Sequence, residues 1–364
     1  MQSLVAFPLI GVLVLVGLAR AHAHDAVPTG PAHDLAHGAE LVLDGQPSAA
    51  LPLLEASVAG FEAARDSGED LVTALGYLGA AHHRLGDHQR ALTLLGRARQ
   101  LAQEREGEYN RTQLPLVYVE AESLRALGRL DEAEARQQLA VELVRRHHGE
   151  DSTEAALALG RLGEWHYGLA SYDEALLLFS TAIEKAEAVG DPTALLPLLQ
   201  GMAVTQLAAR RAPKRALDLL ARVVDLTDQG DGFNTDTRIE ARLLYGNLLM
   251  RFSRERDALA AYREAWSIAH DAGDQAWLAR LAEAGAAAGR LNPVAEIPDE
   301  RVYFVFRYDL GADGRPSRVR LLESNTSATK ADWARTSFRE MRFRPPMVDG
   351  EPQSLASVSG IFVY

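Results

Sequence analysis

The chain has 364 residues, of which 47% are hydrophobic and 24% are charged, and it contains no Cys. This composition is typical of a globular protein, and it excludes global disorder, disulfide scaffolds and thiolate metal sites. The formal net charge of −12 argues against a general nucleic-acid binder. The charge is uneven, because residues 301–364 hold 10 Lys+Arg and 7 Asp+Glu within an otherwise acidic chain.

The amino terminus has the pattern of an export signal. Leu4 to Ala19 is a run of 16 uncharged residues, shorter than the roughly 20 that a membrane-spanning helix needs. Ala21-His22-Ala23 fits the small-x-small rule for signal-peptide cleavage. We therefore predict a signal peptide over residues 1–23 and a mature chain that begins at His24. The alternative is an uncleaved anchor, and both interpretations place residues 24–364 outside the cytoplasm.

The middle of the chain repeats one pattern at a spacing of 41 or 42 residues. An Ala follows a turn segment six times, at Ala50, Ala91, Ala133, Ala175, Ala216 and Ala258. Most of these alanines have a small residue twelve positions before them and a large apolar residue four positions after them. Small residues are typical of places where two helices touch, because a larger side chain would push the backbones apart. The pattern predicts six helical hairpins that bury their apolar faces by stacking.

This pattern resembles the tetratricopeptide repeat (TPR) family over residues 32–272. The usual period of that family is about 34 residues, and the longer period here fits its variants with longer helices. The resemblance implies a mostly α fold, a right-handed α-α solenoid over residues 24–290, made of six hairpins and a capping helix over 274–289.

In this family the first helix of each hairpin lines a ligand groove. The resemblance therefore places a partner-binding groove at Tyr118, Glu122, Arg125, Glu164, Tyr167, Asn247 and Arg251, with Leu243 and Met250 beside them. In the version of this groove that binds a C-terminal carboxylate, Lys and Asn occur in several consecutive hairpins. Only Asn247 and Arg251 fit here, so the sequence does not support a ligand of that kind. The alternative is that these side chains are solvated residues of the inner face.

A small α+β segment follows. Residues 291–300 contain two prolines and no helical period, which predicts a linker. Apolar residues then alternate over 302–308 and again over 318–321, which predicts a β-hairpin with its turn at 311–314. Ser327 is a candidate helix N-cap, and strands are predicted over 342–344 and 355–364. Residues 301–364 are thus predicted to form a domain of order ββαβ.

This segment contains several short motifs: Tyr308-Asp309, Asp313-Gly314, Phe343-Arg344-Pro345, Asp349-Gly350-Glu351-Pro352 and Ile361-Phe362-Val363-Tyr364. In this order they resemble the C-terminal domain of TonB-type energy transducers. The resemblance implies a periplasmic domain that binds an extended segment of an outer-membrane transporter by strand addition. The partner strand is expected along Ser357, Val358, Ser359, Ile361 and Val363, with Arg342 and Arg344 nearby. The alternative is that the last strand lies centrally in the sheet or is covered by the helices.

No phosphate-binding loop, nucleophile elbow or zinc-protease motif occurs in the sequence. His33 and His37 share one helical face without an evident third metal ligand. Five further histidines near repeat turns or ends are expected at solvated positions: His82, His83, His88, His147 and His148. We predict a non-enzymatic periplasmic scaffold for protein–protein interactions, with no cofactor, metal or nucleic acid. Its expected partners are cell-envelope proteins, with outer-membrane receptors as candidates, and membrane contact is limited to the signal or anchor.

The alternative function is that of a TonB-type energy transducer for outer-membrane transport. In that case the N-terminal segment stays uncleaved and anchors the protein in the inner membrane, facing the periplasm. Two features of the transducers are missing here, namely a His within the apolar run and a long Pro-rich spacer.

Overall fold

The structure is a computed structural model that describes residues 30–65, 68–210, 212–229, 232–288, 292–294 and 301–363. The predicted signal peptide at 1–23, the turn residue Arg211 and residues 295–300 of the predicted linker lie outside the described residues. Within these ranges no helix is both long and apolar enough to cross a membrane.

The described residues form 14 helices and eight strands. The helices are α1 (Pro31–Leu43), α2 (Pro47–Ala63), α3 (Glu69–Arg84), α4 (His88–Glu106), α5 (Gln113–Ala126), α6 (Leu130–His148), α7 (Thr153–Gly168), α8 (Tyr172–Val189), α9 (Pro192–Ala208), α10 (Pro213–Gln229), α11 (Thr235–Arg251), α12 (Glu255–Asp271), α13 (Gln275–Leu281) and α14 (Ala328–Glu340). The strands are β1 (Gly285–Ala288), β2 (Asn292–Val294), β3 (Tyr303–Leu310), β4 (Pro316–Ser324), β5 (Arg342–Arg344), β6 (Met347–Val348), β7 (Glu351–Pro352) and β8 (Leu355–Val363).

These elements belong to two compact units. One unit holds the described residues up to 169 together with 184–189, and it is called the N-terminal unit below. The other holds residues 170–183 and 190–363, and it is called the C-terminal unit. The C-terminal unit contains both the later helical hairpins and all eight strands of the described residues.

The predicted repeat register is confirmed by burial. All six marker alanines, from Ala50 to Ala258, are fully buried. The first helix of a hairpin ends in a turn whose last residue adopts a left-handed backbone, with φ of 77° at Gly45, 83° at Gly86 and 73° at Gly128. At the second of these turns the N–H of Asp87 donates to the carbonyl of His82 at 2.9 Å, so the helix closes as Gly-terminated helices commonly do.

Four strands of the C-terminal unit form an antiparallel sheet in the order β2-β8-β3-β4, while β1 pairs with β5 and β6 with β7 in two-stranded sheets. The predicted hairpin and the helix capped by Ser327 are both present. Phe338 of α14 is fully buried against the sheet, with ring-centroid distances of 4.4 Å to Phe306, 4.8 Å to Tyr308 and 4.9 Å to Phe362. This aromatic cluster is the core of the sheet region.

The sheet region begins earlier in the chain than predicted. The capping helix expected over 274–289 ends at Leu281, and Gly285–Ala288 instead forms β1, antiparallel to β5. The predicted linker contributes β2, which pairs with β8 through Asn292–Val363 and Val294–Ile361. Backbone pairing with distant strands therefore overrides the helical preference of the Ala-rich segment.

The sheet region also packs on helices of its own unit. Met347 lies in the same apolar cluster as the buried side chains of α11 and α12. Arg344 of β5 donates to the carbonyls of Leu281 and Arg280 at 3.0 and 3.1 Å, and thereby caps the end of α13. Glu255 at the start of α12 binds Arg315 at 2.7 Å.

Candidate partner-binding surfaces

The first helices of successive hairpins lie side by side in the N-terminal unit. His83 on α3 is hydrogen-bonded through Nδ1 to Oγ of Ser123 on α5, at 2.9 Å. The guanidinium carbon of Arg161 on α7 lies 4.8 Å from the ring centroid of Tyr118 on α5. Side chains of three hairpins therefore meet on one layer of helices. We call the set His83, Tyr118, Glu122, Arg125, Arg161, Glu164 and Tyr167 the first-helix face.

Glu164 and Tyr118 give this face its electrostatic character. Burial raises the pKa of Glu164 to about 7, although the nearby Arg161 guanidinium opposes the shift. Burial also raises the pKa of Tyr118, with Arg161 acting in the opposite direction. Both side chains are half-buried. The face thus presents a phenol, a guanidinium and a carboxyl group that titrates near neutral pH.

Glu122 and Arg125 form the more exposed end of this face. Arg125 Nη2 lies 2.7 Å from Glu122 Oε2, in an ion pair between residues three positions apart on α5. The neighbouring His83 has its pKa lowered, first by burial and then by the proximity of His88. A cationic His83 is therefore disfavoured beside this pair at neutral pH.

The structure brings together five of the seven predicted groove residues. Tyr118, Glu122 and Arg125 are spaced by four and three positions on α5, and Glu164 and Tyr167 by three on α7, so each set shares one side of its helix.

Asn247 and Arg251 lie on α11 of the C-terminal unit. There the side-chain oxygen of Asn247 accepts a hydrogen bond from the buried Tyr262 hydroxyl at 2.9 Å, so it serves the hairpin itself. The adjacent Met250, expected beside the groove, is fully buried and lies close to Gly314 of the sheet region. The sheet region therefore covers this hairpin at Met250, whereas Arg251 is exposed.

Two residues of the first-helix face were missed by the sequence analysis. His83 occupies the same repeat position as Arg125 and Tyr167, eight residues before the marker alanine, so the repeat offsets could have identified it. Tyr118 lies fifteen residues before its marker alanine, and Arg161 lies fourteen residues before the next one. The repeat position therefore does not identify Arg161, whose long side chain reaches the ring of Tyr118.

The histidines expected at solvated positions differ in their environments. His82 is buried, and its Nδ1 lies 3.5 Å from Asp87 Oδ2, so the expectation is wrong for this residue. The rings of His33 and His37 lie 6.3 Å apart. No group of three His, Asp or Glu side chains suited to a metal ion occurs among the described residues.

The free edge of β8 is shorter than predicted. Ile361 and Val363 pair with β2 on one side and with β3 on the other, so they do not lie at an edge. Ser357, Val358 and Ser359 pair with no strand on the β2 side in the described part of the chain. A bulge lies here, where Ser357 has φ of 53° and its N–H donates to Asp309 Oδ1 at 2.8 Å.

Comparisons with known proteins identify the repeats. Residues 71–108 and 117–188 match the tetratricopeptide repeat family. A search of curated proteins finds no match.

Solved structures are similar in fold only, at low sequence identity. The signal transduction ATPase PH0952 from Pyrococcus horikoshii, which has a tetratricopeptide repeat sensor, is 13% identical with a TM-score of 0.51, and the match covers 69% of this chain and 37% of that one. BtubC (BKLC) from P. vanneervenii is 15% identical with a TM-score of 0.48, over 75% of this chain and 100% of that one. Residues 71–108 and 117–188 thus carry tetratricopeptide repeats, within a mostly helical chain that also holds a small strand-containing region.

Proposed function

We propose that this protein is a non-enzymatic scaffold of the periplasm, in which the TPR hairpins bind one protein partner and a TonB-like C-terminal region binds another. The observation that carries the proposal is the first-helix face, where Tyr118, Arg161 and Glu164 meet across two hairpins. Stacked repeats commonly expose such faces as extended binding surfaces.

The chemistry of the first-helix face suits protein recognition. Tyr and Arg are the residue types enriched at binding hot spots, because each combines a large contact area with directed hydrogen bonds. A neutral Glu164 donates a hydrogen bond to a partner, whereas the ionised form accepts one. The hydrogen bonding that Glu164 offers to a partner therefore changes near pH 7.

Strand addition at β8 is the proposed mode of the C-terminal region. Its support is that Val358 and Ser359 pair with no strand on the β2 side among the described residues, together with the resemblance of this segment to TonB-type domains. An added strand gains affinity from main-chain hydrogen bonds and selectivity from alternate side chains. The site is confined to the first half of β8, since β2 already pairs with the second half.

The test of the TPR face is affinity capture from cross-linked cell envelopes. Arg125→Glu is compared with Arg90→Glu, because each replaces an exposed Arg that pairs with an acidic residue three positions away, one on α5 and the other on α4. The proposal predicts that the partner recovered with the wild type and with Arg90→Glu is depleted with Arg125→Glu. Equal recovery with both variants contradicts it.

The proposed location is tested by N-terminal sequencing of the protein from its native host. A chain that begins at His24 in the periplasmic fraction supports the proposal. A chain that keeps residues 1–23 in the membrane fraction favours the energy-transducer alternative instead.

A further inference from the structure

The margin of the sheet opposite to β2 carries a basic cleft. In the order β2-β8-β3-β4, β4 is the outermost strand, and it pairs only with β3 among the described residues. A cleft of about 380 Å³ follows this margin, lined by residues 316–320 and by Arg339 of α14. The cleft is therefore bounded by an edge strand on one side and by a helix on the other.

Three arginines supply the charge of this cleft. Arg318 is 84% exposed, and among the described residues it pairs with Asp309, whose Oδ2 lies 2.6 Å from Arg318 Nε. Arg320 and Arg339 are exposed and have no ion pair with any described residue. The cleft thus holds two guanidinium groups with no internal carboxylate.

A fourth arginine adds positive charge beside the cleft. Arg307 of β3 lies directly opposite Arg320 in the strand register, and both side chains are exposed. Like charges placed opposite each other destabilise a sheet. Packing within the chain does not explain this pair, whereas carboxylates of a bound ligand would offset the repulsion.

We propose that the outer edge of β4 binds an extended acidic segment of another protein. The edge offers unpaired main-chain groups to a partner strand, and guanidinium groups bind carboxylates through two parallel hydrogen bonds. Leu322, which is 47% exposed on the same strand, supplies an apolar contact beside the charges.

The same arginines determine which strand is accepted. Charged side chains on an edge strand prevent pairing with apolar or like-charged edges. Pro316 and the bulge at Arg318, which has φ of 49°, limit pairing at the start of β4. An acidic strand along residues 319–324 is therefore the favoured occupant.

The experiment measures binding of a labelled alternating Asp-Val decapeptide to the full chain by fluorescence anisotropy. An Asp-Val decapeptide that is N-methylated at every residue keeps the charge but lacks backbone N–H donors, and a Lys-Val decapeptide reverses the charge. The double variant Arg320→Glu/Arg339→Glu is compared with Arg301→Glu/Arg335→Glu, which changes the net charge equally at exposed positions outside the cleft. Hydrogen exchange locates the bound peptide.

We expect the Asp-Val peptide to bind and to protect amides in 316–324. Arg320→Glu/Arg339→Glu should weaken binding by about tenfold or more, as for the loss of charge-assisted hydrogen bonds, and the control should stay within about twofold. Equal binding of the N-methylated peptide, equal binding by the cleft variant, or no binding overturns the proposal. Protection confined to 355–360 overturns it in favour of β8. If the free chain forms a dimer and Arg320→Glu/Arg339→Glu dissociates it, the proposal is overturned, and the edge of β4 binds a second copy of the chain instead.

Discussion

Gly79 on α3 lies directly against Leu95 on α4, so that a methyl group added at Gly79 would come 2.7 Å from Leu95 Cγ. The same relationship, sixteen residues apart, joins Gly38 to Leu54 at 2.7 Å and Gly246 to Tyr262 at 2.5 Å. The small residue before each turn and the large residue after it therefore form one contact that recurs along the chain. It sets the distance between the two helices of a hairpin.

Replacing Gly79 by Ala tests this contact. Leu95 is fully buried and has little room to move, so we expect a loss of about 1–2 kcal/mol in the free energy of unfolding. The matched control is Gly96→Ala on α4, where no atom lies within 4 Å of the added methyl group. That variant should gain up to about 1 kcal/mol, because Ala favours helix more than Gly does. Chemical denaturation of both variants measures the difference, and a stabilising Gly79→Ala would contradict the contact.

The hairpins were predictable because their signal is local and repeated. The spacing between Ala91 and Ala133 follows from the lengths of two helices, and the small and large residues around each marker are read directly from the sequence. The boundary of the sheet region was not predictable in this way. The segment from Gly285 to Ala288 has high helix propensity, and only its pairing with β5, more than fifty residues later, makes it a strand.

The first-helix face was predictable in part. Repeat offsets placed Tyr118 and Glu164 on the same layer of helices. They did not reveal that Arg161 reaches the ring of Tyr118, because that contact depends on the conformation of a long side chain. The offsets also failed at Met250, since they carry no information on what covers a helix face from outside the repeat.

Glu164 is expected to make stability depend on pH. Its pKa in the folded protein is about 7, above its ordinary value of 4.5, so the folded state binds more protons than the unfolded state between these values. Stability from this group is present below about pH 4.5 and is lost as the pH rises through 7. We expect Glu164→Gln to match the wild type near pH 5 and to exceed it by about 1–2 kcal/mol at pH 8, after allowance for solvent screening. Thermal unfolding at the two pH values measures this, and a constant difference would contradict the assignment.

Gly314 is expected to tolerate no side chain. Its φ is 77°, and an added methyl group would lie 2.2 Å from the carbonyl oxygen of Phe343, whose N–H donates to the Gly314 carbonyl. Gly314→Ala should therefore cost about 3 kcal/mol, through strain and backbone displacement together. Gly86 has φ of 83°, and the structure places no neighbouring atom within 4 Å of a methyl group added there. Gly86→Ala therefore measures the backbone strain without the steric contact, and it should cost about 1 kcal/mol. Equal losses in the two variants would show that the approach to Phe343 does not constrain the fold.

Arg344 is expected to stabilise the packing of the sheet region on the end of α13. Its two hydrogen bonds to the carbonyls of Leu281 and Arg280 satisfy groups that a helix end otherwise leaves free. Arg344→Lys keeps the charge but loses the planar fork, so we expect a loss of about 1–2 kcal/mol and faster amide exchange in α13. Arg335→Lys, at an exposed position of α14, is the control. Unchanged exchange in α13 would show that the cap contributes nothing.

The most direct test of the scaffold function is site-specific photo-crosslinking in the native host. A photoreactive phenylalanine analogue replaces Tyr167 on the first-helix face or Gln138 at an exposed position of α6. We expect the analogue at Tyr167 to yield a discrete covalent adduct with one protein, the analogue at Gln138 to yield none, and Arg125→Glu to remove the adduct. An adduct of equal yield at Gln138, or none at Tyr167, would contradict a partner-binding role for this face.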